Sequence, residues 1–112
     1  MLFRSVSELQ RATALEKDNS LAWRLLAQAY ASQGKDGEAR LASAEYNFAL
    51  GRQDEATRFA LRARDILPRG SAEWLRAMDI VFASGATQDD VDAADERYER
   101  SRQPRVVPVH AD

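Results

Sequence analysis

The chain's 112 residues carry 16 Lys and Arg against 18 Asp and Glu, a formal charge of −2, and 45% of them are apolar. That balance belongs to one small globular helical domain and excludes a disordered or fibrous chain. It also removes the electrostatic case for nucleic acid or an anionic membrane surface, which need a clustered positive excess. There is no cysteine, so disulfide and thiolate chemistry are out and the redox compartment stays open. No run approaches the roughly 18 to 20 apolar residues of a membrane span.

The N-terminal residues hold no apolar stretch of signal-peptide length. Leu2-Phe3-Arg4-Ser5 matches the translation of a common sequencing-adaptor tail. Residues 1–5 are therefore expected to be foreign and the native protein to extend upstream, which would strip the missing signal peptide of meaning.

A first helix is predicted over 6–17, with Val6, Leu9, Ala12 and Leu15 on one face. Asp18-Asn19-Ser20 then offers caps to a helix over 21–33 that carries Trp23, Leu26, Ala27 and Tyr30 on one stripe and ends at Gly34. The helix over 36–50 is apolar along two lines, Ala39, Ala42, Tyr46 and Ala49 on one and Leu41, Ala44 and Phe48 on the other. It is therefore expected to have neighbours on both faces. A helix over 53–67 carries Ala56, Phe59, Ala60, Ala63 and Leu67 and stops at Pro68-Arg69-Gly70. The next, over 72–84, carries Trp74, Met78, Val81 and Phe82 and ends at Gly85. The last starts from the capping-box pattern Thr87-Gln88-Asp89-Asp90 and runs to about Arg102. Residues 103–112, with two of the three prolines, read as a mobile tail after a domain spanning 6–102.

Glycine punctuates a repeat. Gly34 and Gly51 lie 17 residues apart, Gly85 lies 34 beyond Gly51, and Trp23 and Trp74 are 51 apart. Gly34-Lys35-Asp36-Gly37-Glu38-Ala39 returns as Gly51-Arg52-Gln53-Asp54-Glu55-Ala56. The period fits an all-α stack of antiparallel helical hairpins, about three pairs.

Trp23-x-x-Leu26-Ala27-x-x-Tyr30, then Gly34 and Ala39, resembles the first half of the tetratricopeptide (TPR) consensus, with Ala27 where that consensus prefers Gly. Ala56, Ala63 and Pro68 resemble the second half. The halves overlap on the helix over 36–50, so the sequence leaves open which helices are the inner ones. A narrower resemblance is carried by residues 22–27, 41–46 and 67–80, above all Pro68-x-Gly70-Ser71-x-x-Trp74-Leu75-Arg76-Ala77-x-Asp79-Ile80. These look like the C-terminal repeats of periplasmic zinc metalloproteases of the beta-barrel assembly-enhancing type. The resemblance implies that zinc and a His-Glu-x-x-His helix would lie in an upstream protease domain, and no catalytic residue carries over to this chain. It further implies docking to outer-membrane assembly machinery or holding of unfolded substrate, in the periplasm if a signal peptide precedes the chain.

Individual side chains point the same way. His110 is the only histidine, without the companions a zinc site or a Ser-His-Asp arrangement requires. Asp89, Asp90, Asp92, Asp95 and Glu96 lack the spacing and central glycine of a calcium loop and read as a capped, solvated helix start. Trp23, Tyr30, Trp74 and Phe82 read as core rather than as an aromatic cage. Arg24, Gln28 and Ser32 lie one turn apart on the side away from Trp23, Leu26 and Tyr30, where such a repeat lines its groove, and are expected to meet a partner. Arg58 and Arg62, with Arg69 nearby, offer a clamp for a carboxylate or a peptide C-terminus, against the plainer reading of a water-facing stripe. The expectation is a non-catalytic module for a protein or extended peptide, without cofactor or metal. The alternatives are a free-standing cytoplasmic adaptor or an oligomerisation cap.

Overall fold

Six α-helices and no strand make up the described residues, 5–103, of the computed structural model. They are α1 (Val6–Leu15), α2 (Ser20–Ser32), α3 (Asp36–Ala49), α4 (Gln53–Ile66), α5 (Ala72–Ala83) and α6 (Gln88–Arg102). The expectations of foreign residues at 1–4 and of a mobile tail at 104–112, His110 included, lie outside the described residues. Ser5 is described, and its side chain accepts from the Glu8 amide to cap α1.

Three of the turns share one construction. At Gly34 the glycine amide donates to Ala31 and the next amide, Lys35, reaches back to Tyr30. The same pair of bonds closes the turn at Gly51 (to Phe48, with Arg52 to Asn47) and at Gly85 (to Phe82, with Ala86 to Val81). This is the Schellman arrangement, which satisfies the last carbonyls of a helix and requires a left-handed residue after its cap. The glycines supply it with φ of 74°, 76° and 95°. The amides at helix starts are met by side chains where sequence suggested: Asn19 accepts from Ala22, and Thr87 and Asp90 form a reciprocal capping box. Ser71, which the sequence reading passed over, caps α5 by accepting from Trp74.

Each of α1 to α4 packs on the next, and α3 reaches past α4 to touch α5. The doubly apolar α3 is thus an inner helix with neighbours on both faces, as its sequence implied. Among the described residues, seven of the thirteen buried apolar ones are alanines. Ala56, Ala60 and Ala63 form a stripe along α4 with no exposed surface, so α3 and α5 can approach it closely on either side. The main core adds Ala44, Leu67, Ala77, Ile80, Val81 and Val91, and a second cluster joins Leu9, Ala22, Leu26 and Ala42. At Gly37 the approach is closest: a Cβ there would stand 2.8 Å from Leu67 Cδ2 and 3.3 Å from Ile66 Cγ2.

The stack is elongated, 67 × 30 × 23 Å with a radius of gyration of 16.7 Å, against about 13 Å for a compact chain of 100 residues. No described helix is long and apolar enough to cross a membrane.

Three sequence expectations are corrected. Helix α1 stops at Leu15 rather than 17, because the Lys17 carbonyl turns away to accept the Trp23 indole N–H at 2.9 Å. Leu15 is 79% exposed, and the buried face of α1 runs through Leu9 and Thr13 instead. Phe82 is 44% exposed at the end of α5, where Val81 and Ile80 take the core side.

Candidate functional site

A concavity of about 440 Å³ opens between α1, α2, α3 and α5, within the roughly 300–1,000 Å³ typical of ligand clefts. Its apolar floor comes from Trp23, Leu26 and Tyr30 of α2, Leu41 and Ala42 of α3, Ala14 of α1 and Ala72 of α5. The aromatic rings are pinned at their polar ends. The Trp23 indole N–H donates to the Lys17 carbonyl, and the Tyr30 hydroxyl accepts from Gln10 Nε2 at 2.7 Å. A ring held at one end and half-buried along its length offers a rigid apolar face at low entropic cost. Trp23 and Tyr30 are therefore both packed on the small core cluster and presented to the concavity, which corrects their assignment as plain core.

Charge is arranged around this floor. Arg76 of α5 donates to Glu45 of α3 through both Nε (2.9 Å) and Nη2 (2.6 Å), a bidentate bridge between alternate helices. The Glu45 side chain is only 9% exposed and the Arg76 side chain 39%. The hydrogen bonds to Glu45 raise the Arg76 guanidinium above its ordinary value, against burial, with Asp79 adding to the rise. Glu38 and Glu73 also line the concavity, each in the first turn of its helix. Neither is in an ion pair among the described residues. Among the described residues Lys17 contributes the one other cation of the lining, beside Trp23.

The residues singled out from sequence are placed elsewhere. Arg24, Gln28 and Ser32 are exposed on α2 and do not line the concavity, which is faced by the opposite stripe of that helix. Ser32 Oγ donates to the Ala29 carbonyl of its own helix. Arg58 and Arg62 do come together, with Glu55 and Phe59, in a small depression on α4 where Arg58 is already paired with Glu55. Arg69 is not with them and lines a different cleft. The residues that line the concavity from α3 and α5, Glu38, Glu45, Glu73 and Arg76, were passed over. The signal for one pair was there: Glu45 is the one charge in the C-terminal half of α3, set among Ala42, Ala44, Tyr46 and Phe48, and a carboxylate so placed needs a partner.

A second, polar cleft lies between α4, α5 and α6, lined by Arg64, Arg69, Trp74, Asp95, Tyr98 and Arg102 among others. Arg64, its side chain 9% exposed, is shared by Asp65 at 3.1 Å and Asp95, and so ties α4 to α6. The acidic run of α6 is spent locally. Asp90 caps the helix and is held below the usual carboxylate range by the hydrogen bond from the Thr87 amide. Asp92 accepts from Gln88, and Asp95 serves Arg64. No group of three or more potential metal ligands occurs among the described residues.

Comparisons of the chain with protein-family models, curated proteins and solved structures found no match.

Proposed function

We propose that this chain is a protein-binding module, a helical repeat stack of the tetratricopeptide type whose concavity receives an extended peptide. The observation that carries this reading is the concavity itself: an apolar floor with two pinned aromatic rings, rimmed by charge. An extended segment suits it because alternate side chains can face the floor while the remainder stay in water. The spacing of Trp23, Leu26, Tyr30 and Gly34 and the three like-built turns support the repeat type. In this reading the chain supplies binding rather than chemistry.

The phrase from Pro68 to Ile80 supports a narrower placement. In it the module is the C-terminal part of a periplasmic zinc protease that serves outer-membrane protein quality control, with zinc held by an upstream domain. The upstream coding DNA decides this. A frame continuing into a His-Glu-x-x-His segment behind a signal peptide upholds the placement. A stop codon and ribosome-binding site just before Met1 would leave a cytoplasmic adaptor instead.

Binding itself is tested by selecting displayed random peptides on the full chain. Selected peptides should change Trp23 fluorescence in a Trp74→Phe background, and Tyr30→Ala should weaken them about tenfold or more. Peptides that bind without affecting Trp23, or indifferently to Tyr30, would place the binding surface elsewhere.

A further inference from the structure

We infer that the segment received by the concavity is cationic, an apolar extended peptide carrying one Lys or Arg directed at Glu38 and Glu73. The inference rests on the peptide-binding reading above and deepens it. The charge around the floor is unequal once internal pairing is subtracted. Arg76 is held through two nitrogens by Glu45, so it is not available to a ligand carboxylate without stripping a nearly buried acid of its partner. Glu38 and Glu73 have no such partner among the described residues and remain.

Their placement sharpens the argument. Successive helices run antiparallel through short turns, so the first turns of α3 and α5 lie at the same end of the stack, and both acids with them. Tyr30, at the C-terminal end of α2, comes to that end too, and its ring already attracts a cation: Lys35 Nζ sits 6.0 Å from its centroid. Lys17 follows α1, beside the start of α2, and so stands at the other end. An incoming cation finds two carboxylates beside an aromatic ring that already holds Lys35, whereas an incoming anion finds, in the lining, the Lys17 ammonium at the opposite end. A charge in a partly dry groove interacts more strongly than it would in open water.

The test uses three synthetic nine-residue peptides of alternating valine and threonine, identical but for a central Lys, Gln or Glu. Each is titrated against the full chain carrying Trp74→Phe, with Trp23 fluorescence as the readout. The lysine peptide is expected to bind about tenfold tighter than the glutamate peptide, with glutamine between. Glu38→Gln with Glu73→Gln should abolish that order while leaving the circular dichroism spectrum unchanged, and 0.5 M salt should compress it. Equal binding of all three, or tightest binding of the glutamate peptide, would overturn the charge preference and leave the peptide groove standing. No binding by any of the three, with none from displayed libraries, would overturn the groove as well.

Discussion

Glu45 and Arg76 show how a single pair can matter more than its surface area suggests. The carboxylate is nearly buried, so removing its partner leaves a charge with poor access to water. For fully enclosed pairs that loss reaches roughly 3–5 kcal/mol. Arg76 is partly open, so water softens the loss, and Arg76→Ala is expected to destabilise the fold by about 2 kcal/mol. Urea denaturation measures it, and a change within error would mean that Glu45 reaches solvent. Asp65 is the opposite case. Burial lifts its carboxyl above the ordinary value of 3.8, Arg64 pulls it down, and Asp95 adds to the rise. A carboxyl raised in the folded state contributes stability below its unfolded value, which is lost as pH rises through the folded one. At pH 7 the ionised group therefore costs stability. Asp65→Asn should leave the urea midpoint unchanged or higher at pH 7, the gap closing toward pH 3, since Arg64 keeps Asp95. A lower midpoint at pH 7 would show that Arg64 depends on Asp65.

Two glycines of the repeated phrase constrain their elements for different reasons. Gly51 has open space around a notional Cβ but a φ of 76°, so Gly51→Ala should cost about 1 kcal/mol and Gly51→Asn less, because asparagine tolerates that region. Gly37 lies in the first turn of α3 without a left-handed φ, and there the obstacle is Leu67. Gly37→Val should cost about 2 kcal/mol through overpacking. Thermal unfolding of the three variants separates the cases, and a harmless Gly37→Val would mean that Leu67 can swing away. At this scale the sequence was readable. Helix limits follow from local chemistry, glycine after the last turn and Asn19 or Thr87 before the first, and these signals lie within a few residues of what they govern. Leu15 was misplaced because its helix ends early, and the cause, the indole of Trp23 reaching the Lys17 carbonyl, comes from the following helix.

Over the whole molecule, the candidate site was less legible than the fold. A concavity is made by helices that meet only after packing, and Glu45 and Arg76 are 31 residues apart. The hydrophobic stripe of α2 was found, but that stripe faces the cavity as well as the core, and no periodicity separates the two roles. Because α1 to α5 lean mainly on their neighbours and α6 is held by fewer contacts, protection should fall toward the ends. Hydrogen exchange is expected to be slowest in α3 to α5, which share the large core, and faster in α1 and α6. Uniform protection from α1 to α6 would contradict a stack stabilised neighbour by neighbour. The bridge from Glu45 to Arg76 has one mechanical consequence. It fastens alternate helices on the side where the concavity opens, so a bend that spreads the helices must stretch it, while a bend that brings them together need not. The stack should therefore be stiffer against flattening than against curling, and tension along an embedded chain would be met by a spring that yields more readily in one direction.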